Sequence, residues 1–511
     1  MKFSRTASGG MVVAPHFLAA EAGARVLSDG GNAIEAMIAA AATITVVYPH
    51  MNALGGDNFL LIGDGGKPIA IDACGAAAEQ ASIEFYRSQG LDAIPSRGPL
   101  AALTVAGAIS GWQVALEESK RRGGAMPLSR LFEDAIQHAR NGTPVSGTLH
   151  RNTADKLSEL ETVPGFAETF LVDGAVPKEG HSLKLLALAD TFERLAAVGL
   201  EDFYRGDIAQ SLARELEASG SPLRAEDFAR HKALIVEPLS VSLKSGTAYT
   251  MPPPTQGLAS MMILGLCERL DISEAGGFEH VHAIVEASKR AFRVRDRYVS
   301  DPAYMSVDPI DFLSDDMLDQ LMAEIDPKLA LPWPEVSQPG DTVRLGVMDK
   351  DGCSVSLIQS IYWEFGSGVV LPETGIVWQN RGTSFSLDPD SSNPLMPGRR
   401  PFHTIHPAMA TLKDGRHMVY GTMGGEGQPQ TQAAMFTRYV DFDQGLEEAI
   451  SAPRWLLGRT WGEETAKLRI ENRFDSAVID ALRDAGHEIE IVGDFDEMMG
   501  HAGAIVHHTD N

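Results

Sequence analysis

The chain has 511 residues, of which 44% are hydrophobic and 22% charged, the composition of a globular protein with a large core and not of a disordered chain. Its 69 acidic and 43 basic residues leave a formal charge of −26, which repels phosphate backbones and anionic lipid and so argues against nucleic acid or a membrane surface as partner. The N-terminal MKFSRTASGGMVV lacks the apolar core of a secretory signal, and Cys74, Cys267 and Cys353 are too widely spaced for a disulfide framework or a CxxC metal site; a cytoplasmic location is expected.

In chain order, the first elements read as two small-residue helices. Phe17 to Leu27 is closed by Gly30-Gly31, and Ala33 to Val47 has Asn32 at its N-cap and Pro49 beyond its end. The apolar run Ala36 to Tyr48 is about half of what a membrane span needs and reads as a buried helix. Phe59 to Ile62 is strand-like, so the chain opens as a helix pair on a sheet. From Pro127 to about Arg230 the pattern is mostly helical, for example Leu183 to Ala197 and Ile208 to Ala218. Alternation takes over at Leu239 to Tyr249, Pro252 to Pro254 ends it, and a helix is expected from Gly257 to Leu270. The acidic stretch Ser314 to Pro339, punctuated by Pro327, Pro332, Pro334 and Pro339, reads as an exposed connection.

After Asp341 the sequence turns to β type, with Val343, Leu345 and Val347 on one face. Lys350-Asp351-Gly352 suits a three-residue hairpin loop with Gly352 left-handed. If Asp349 faces Cys353, counting back along both strands sets Thr342 opposite Ser360 on one face. A threonine hydroxyl is a weak nucleophile without a base, and a threonine at a chain terminus has its own α-amine for that purpose. That amine exists only after cleavage between Asp341 and Thr342.

Several strings, in order, are landmarks of a known family: GGNAIEAMIAAA, VVYPHMNALGGDNFLL, FYRGDIA, MPPPTQG, VMDKDG, FGSG, RRPFHTIHP and MGGEG. Over nearly its whole length the chain resembles the γ-glutamyltranspeptidase family of N-terminal-nucleophile hydrolases. The resemblance implies an α+β fold, a four-layer αββα sandwich, made as one precursor and split into a large piece (1–341) and a small piece (342–511). It implies Thr342 as nucleophile, Ser360 as its activating hydroxyl, and Gly424 and Gly425 as backbone donors to the oxyanion. Oriented donors of that kind lower the barrier to a tetrahedral intermediate.

Departures from the family pattern bear on substrate. Cys74, in IDACGAAAEQ, stands where the resemblance implies a carboxylate-binding arginine, and Thr383-Ser384 stand where it implies an acidic pair for an α-ammonium. Arg381 adds a cation near that place, which repels an amino group and attracts an anion. Tyr362, His403 and Thr404 match pocket positions, whereas His406 is expected to be structural. The string SIYWEFGSGVVLPETGIVWQNRG, with GGEGQPQTQ and RWLLGRTWG, is similar to the branch that hydrolyses oxamate in purine-nitrogen catabolism. A small anionic amide is therefore the expected substrate, with no cofactor and no metal, since none of the 15 histidines stands in an HExxH-type spacing. Two other readings stay open: a γ-glutamyl hydrolase or transferase with an altered clamp, and an uncleaved, non-catalytic binding protein. Association of the two-piece unit into a homo-oligomer is also left open.

Overall fold

A computed structural model of the chain describes residues 5–333, 341–458 and 465–508. Pro334 and Pro339 of the expected connection, and the part of RWLLGRTWG beyond Gly458, lie outside the described residues.

Eleven strands make the two main sheets: β1 Gly10–Val13, β2 Asp57–Gly63, β3 Ile69–Ala73, β4 Leu234–Val236, β5 Leu239–Ser242, β6 Gly246–Thr250, β7 Asp341–Asp349, β8 Ser354–Tyr362, β9 Ala408–Leu412, β10 His417–Gly421 and β11 Gly503–His507. The first sheet runs β1-β7-β8-β2-β3-β4 and the second β11-β10-β9-β6-β5, every pair antiparallel. The helices used below are α1 Phe17–Ser28, α2 Ala33–Val47, α3 Gly257–Cys267, α4 Phe278–Tyr298, α5 Asp315–Ala323 and α6 Gly427–Phe436.

Alternation along each strand sorts side chains into layers. Val343, Leu345, Val347, Leu357 and Leu60 face α1 and α2 in one core. Phe59, Leu61, Met348 and Ile358 face Met409, Val419 and Ile505 of the second sheet in another. The second sheet's outer face packs on α3, α4 and α6. The result is helix, sheet, sheet, helix, as the resemblance implied.

Local sequence explains the first helix pair. The Asn32 side chain accepts from the Ile34 and Glu35 N–H groups while Glu35 reaches back to the Asn32 N–H, a reciprocal cap that contributes about 1 kcal/mol. Gly23 lets α1 approach α2 and β1, since a Cβ there would lie 2.9 Å from the Ala36 carbonyl. Every residue of α2 is buried, and no described helix is long and apolar enough to cross a membrane.

The alternating stretch from Leu239 is β type as read and folds into a hairpin, β5 and β6 turning at Leu243–Gly246. One expectation is corrected. The expected connection is in part helical: α5 starts after Ser314, carries Asp315 and Asp316 in its first turn, and buries Leu318 against α3 at Gly265. Acidic residues at a helix N-terminus are favoured by its dipole, and that signal outweighed the prolines that follow. Further on, Leu331 is bound at both ends of its peptide unit, its N–H to the Glu286 carboxylate and its carbonyl to Lys289 Nζ.

Candidate active site

The strand that opens at Asp341 sets the site. The β7–β8 hairpin turns at Lys350-Asp351-Gly352, with Gly352 at φ +87°, and the Asp349 carboxylate accepts from the Asp351 and Cys353 N–H groups. Register then follows: Leu345 pairs with Leu357 and Val343 with Gln359. At the next step the ladder slips, and Asp341 pairs with Tyr362. Thr342 therefore faces two residues, Ser360 and Ile361, at a bulge, a device that re-aims side chains beside functional sites.

Thr342 Oγ1 lies 3.2 Å from Ser360 Oγ, to which it donates. Ser360 Oγ also accepts the Tyr362 N–H at 2.8 Å. Tyr362 has φ +81°, a strained conformation for a bulky residue that persists only where surroundings enforce it. Enforcement comes from below its ring, where the Arg381 guanidinium carbon stands 3.6 Å from the ring centroid. Thr342, Ser360, Tyr362 and Arg381 thus form one contiguous chain, and all four are buried.

Arg381 opens the short 3-10 turn Arg381–Ser384. Its one hydrogen bond is long, 3.5 Å to the Phe402 carbonyl, and Nη2 has no partner. No carboxylate lies within ion-pairing distance among the described residues. Burial draws its pKa down to about 10, with Tyr362 and Asp57 pulling the other way, so the group stays charged at neutral pH. A buried cation without a counter-charge costs several kcal/mol, which a bound anion would relieve. In the same turn Thr383 Oγ1 donates to the Asn380 carbonyl, and the Ser384 hydroxyl is buried without a partner.

His403 and Thr404 come to this place. His403 Nε2 lies 3.5 Å from Asp57 Oδ2, neither ring nitrogen is hydrogen-bonded, and burial, helped by Arg381 and Arg400, holds the imidazole neutral. The Thr404 hydroxyl is buried and unbonded. His406 lies aside, its Nε2 on Gln432.

Gly424 and Gly425 have φ of +104° and +45°, a left-handed pair that suits glycine and leads into α6. Their own N–H groups make no hydrogen bond among the described residues. The loop is held by Gln256, whose Nε2 donates to the Gly425 carbonyl (2.8 Å) and the Thr404 carbonyl (2.5 Å). Gln256 is held in turn by Arg295 of α4, which bonds its Oε1 at 3.0 Å and Glu426 Oε1 at 2.5 Å.

Three of these residues escaped the sequence reading. Gln256 and Glu426 lie inside the landmarks MPPPTQG and MGGEG, where position alone could have flagged them; Arg295 sits in a charge-rich helix and carries no signal. Asp57 is the fourth. It pairs with Ser360 across β2 and β8, and its Oδ1 accepts from the Gly75 and Gly107 N–H groups. Burial pushes its carboxyl up to about 7, against those two hydrogen bonds, Gln379 and Arg381. Arg344, two residues along from Thr342, is also buried, its guanidinium in a slot bordered by Gly346, Gly421 and Gly503.

One group of described residues has metal-ligand geometry, the buried His282, Glu286 and His487. Glu286 is occupied by Lys289 and Arg290, and His282 Nδ1 bonds His487 Nε2 at 2.9 Å, so the group serves as a packing network between α4 and the segment that follows the helix Ser476–Asp484.

Known proteins share this architecture. A solved cephalosporin acylase from Bacillus halodurans superposes with a TM-score of 0.90 at 34% identity, covering 99% of this chain and 94% of that one. The oxamate amidohydrolase proenzyme of Klebsiella pneumoniae subsp. pneumoniae is 52% identical over 99% of this chain and 96% of its own. A glutathione hydrolase-like proenzyme, YwrD, of Bacillus subtilis is 40% identical over 97% and 94%. The Gamma-glutamyltranspeptidase family profile matches residues 19–511, and the chain belongs to that family.

Proposed function

We propose that the chain is an autoprocessing amidohydrolase that cuts itself between Asp341 and Thr342 and then hydrolyses oxamate to oxalate and ammonia. The observation that carries the substrate assignment is Arg381, a buried, charged guanidinium with no ion pair, one residue contact away from the Thr342–Ser360 pair. The likeness to a relative named for oxamate supports it. Neutral Thr383 and Ser384 give an α-ammonium no counter-charge, which disfavours γ-glutamyl substrates. Unpaired cysteines, two of them buried, fit a cytoplasmic setting, and release of ammonia from oxamate fits the purine-nitrogen catabolism implied by the resemblance.

In maturation the Thr342 hydroxyl attacks the Asp341 carbonyl carbon. The peptide C–N bond breaks as the nitrogen gains a proton, leaving an ester on Thr342 Oγ1. Water opens that ester, giving residues 1–341 with a carboxylate and residues 342–511 with a free Thr342 amine.

In turnover the amine takes the hydroxyl proton while Oγ1 attacks the amide carbon. The Gly424 and Gly425 N–H groups donate to the oxyanion, a contribution of about 3–4 kcal/mol per donor in comparable sites. The amine returns its proton to the leaving nitrogen and ammonia departs. Water then attacks the oxalyl ester and oxalate leaves.

The test is paired. Wild-type protein should run as two fragments on a denaturing gel and release ammonia from oxamate, with little cleavage of a γ-glutamyl anilide, and Thr342→Ala should stay one chain without activity. A Thr342→Ala protein that still splits, or a wild type that prefers the anilide, would refute the assignment.

A further inference from the structure

Asp57, Ser360 and Thr342 stand side by side on three adjacent strands, β2, β8 and β7, all on the face between the sheets. Neighbouring residues in such a row have Cβ atoms about 5 Å apart, so the acid at one end and the nucleophile at the other are separated by about 10 Å. An attack distance of about 3 Å, a two-carbon acid and a hydrogen bond of about 2.7 Å fill that span. The span suits a short acid.

We propose that Asp57 is a specificity-determining residue that keeps its proton and donates it, beside Arg381, to the substrate carboxylate, so that the subsite accepts a short monoanionic acid lacking an amino group. This rests on the oxamate reading and says how that substrate is chosen.

The carboxyl is fixed for the role. Oδ1 is clamped by the Gly75 and Gly107 N–H groups at 3.0 and 2.9 Å, and a Cβ on Gly107 would lie 3.1 Å from it. Oδ2 makes no hydrogen bond of good geometry and faces His403 Nε2. The groups around it are Arg381, Gln379, His403, Cys74 and Tyr204. Burial keeps the Cys74 thiol and the Tyr204 phenol neutral and His403 unprotonated, which leaves Arg381 as the charge that acts on Asp57. Ionised, Asp57 would cancel that charge and repel a carboxylate. Protonated, it adds a donor and leaves the subsite at +1, consistent with a carboxyl raised to about 7. A buried carboxyl kept neutral so that it can donate is an established device in other enzymes.

Below pH 7 the acid is already protonated; above it, an anion must bring in a proton, and affinity falls up to tenfold per pH unit. The experiment follows KM and kcat for oxamate from pH 5.5 to 8.5 in wild type and in Asp57→Asn, which keeps the acceptor at Oδ1 and a permanent donor at Oδ2. Alongside, glycolate, a two-carbon monoanion that cannot be hydrolysed, is titrated calorimetrically at pH 7.5 in buffers of different ionisation enthalpy. Expected are a KM that climbs above pH 7 and up to about three-quarters of a proton taken up per glycolate in wild type, and a flat KM with no uptake in Asp57→Asn. Absence of uptake in wild type, which needs no variant, or uptake that survives in Asp57→Asn overturns the inference. Oxamate turnover without proton uptake sinks this inference alone; a wild type that neither hydrolyses oxamate nor binds glycolate sinks the proposed function with it.

Discussion

Thr342 and Ser360 meet with their hydroxyl oxygens 3.2 Å apart at the step where the β7–β8 ladder slips by one residue. In regular pairing Ser360 would leave the Tyr362 N–H without this acceptor. The bulge lets one oxygen serve both the nucleophile and the strained backbone behind it.

Ser360→Ala therefore removes two interactions with one atom. A lost partner for a buried polar group costs about 1–3 kcal/mol, which predicts processing and turnover slowed roughly 10- to 100-fold in a folded protein. The fraction of cleaved chain followed over time on a denaturing gel checks this; a wild-type processing rate in the variant would remove Ser360 from the machinery.

Arg381→Gln should act on binding. A hydrogen bond to a charged group contributes about 1.5–3 kcal/mol, so KM for oxamate should rise roughly 10- to 100-fold while kcat changes less. Arg381→Lys should recover only part of the loss, because a compact ammonium lacks the planar, forked guanidinium that stands over the Tyr362 ring. Equal KM values for wild type and Arg381→Gln would move the carboxylate elsewhere.

Gln256 is a positioning residue, touching the Gly425 and Thr404 carbonyls and Arg295. Gln256→Ala should free the glycine loop, so that donors placed for the oxyanion lose their aim. The expected result is kcat lowered by about tenfold or more with KM nearly unchanged, since the oxyanion exists only after attack. A rise in KM with kcat intact would give Gln256 a substrate-binding role instead.

How far the sequence carried depends on the range of the interaction. The Asn32 cap and the Gly352 turn are local signals, and from Gly352 alone the count along two strands reached Ser360. Asp57 stands on β2, in a row whose other two members lie on the β7–β8 hairpin much later in the chain, and nothing in GGDNF announces that pairing. Arg295 and Arg290 lie in a charge-rich helix, yet both are buried, Arg295 paired with Glu426 from the glycine loop and Arg290 with Glu286 one turn back on α4. In Ser314 to Pro339 the prolines hid a short helix, whose one buried residue, Leu318, makes only a weak apolar pattern.

Buried histidines set the acid limit of stability. Burial lowers His50, His280 and His487 to about 3 and His231 and His406 to about 4, while in the unfolded chain each titrates near 6.5. Between those values the unfolded chain binds protons that the native protein refuses, so stability falls as pH drops through 6.5, by about 1.4 kcal/mol per pH unit for each group. Asp57 and Asp441, raised to about 7 and 6, act oppositely: native carboxyls take up protons first, and their contribution grows as pH falls toward 4. Five groups against two leave the histidines dominant, and the melting temperature should drop markedly from pH 7 to pH 5. The uncleaved Thr342→Ala chain is the sample of choice, because unfolding then involves no dissociation of fragments. His280→Gln, which keeps a side chain able to meet Thr437 Oγ1, should make the drop shallower; a melting temperature independent of pH over this window would show that the imidazoles are charged in the native protein.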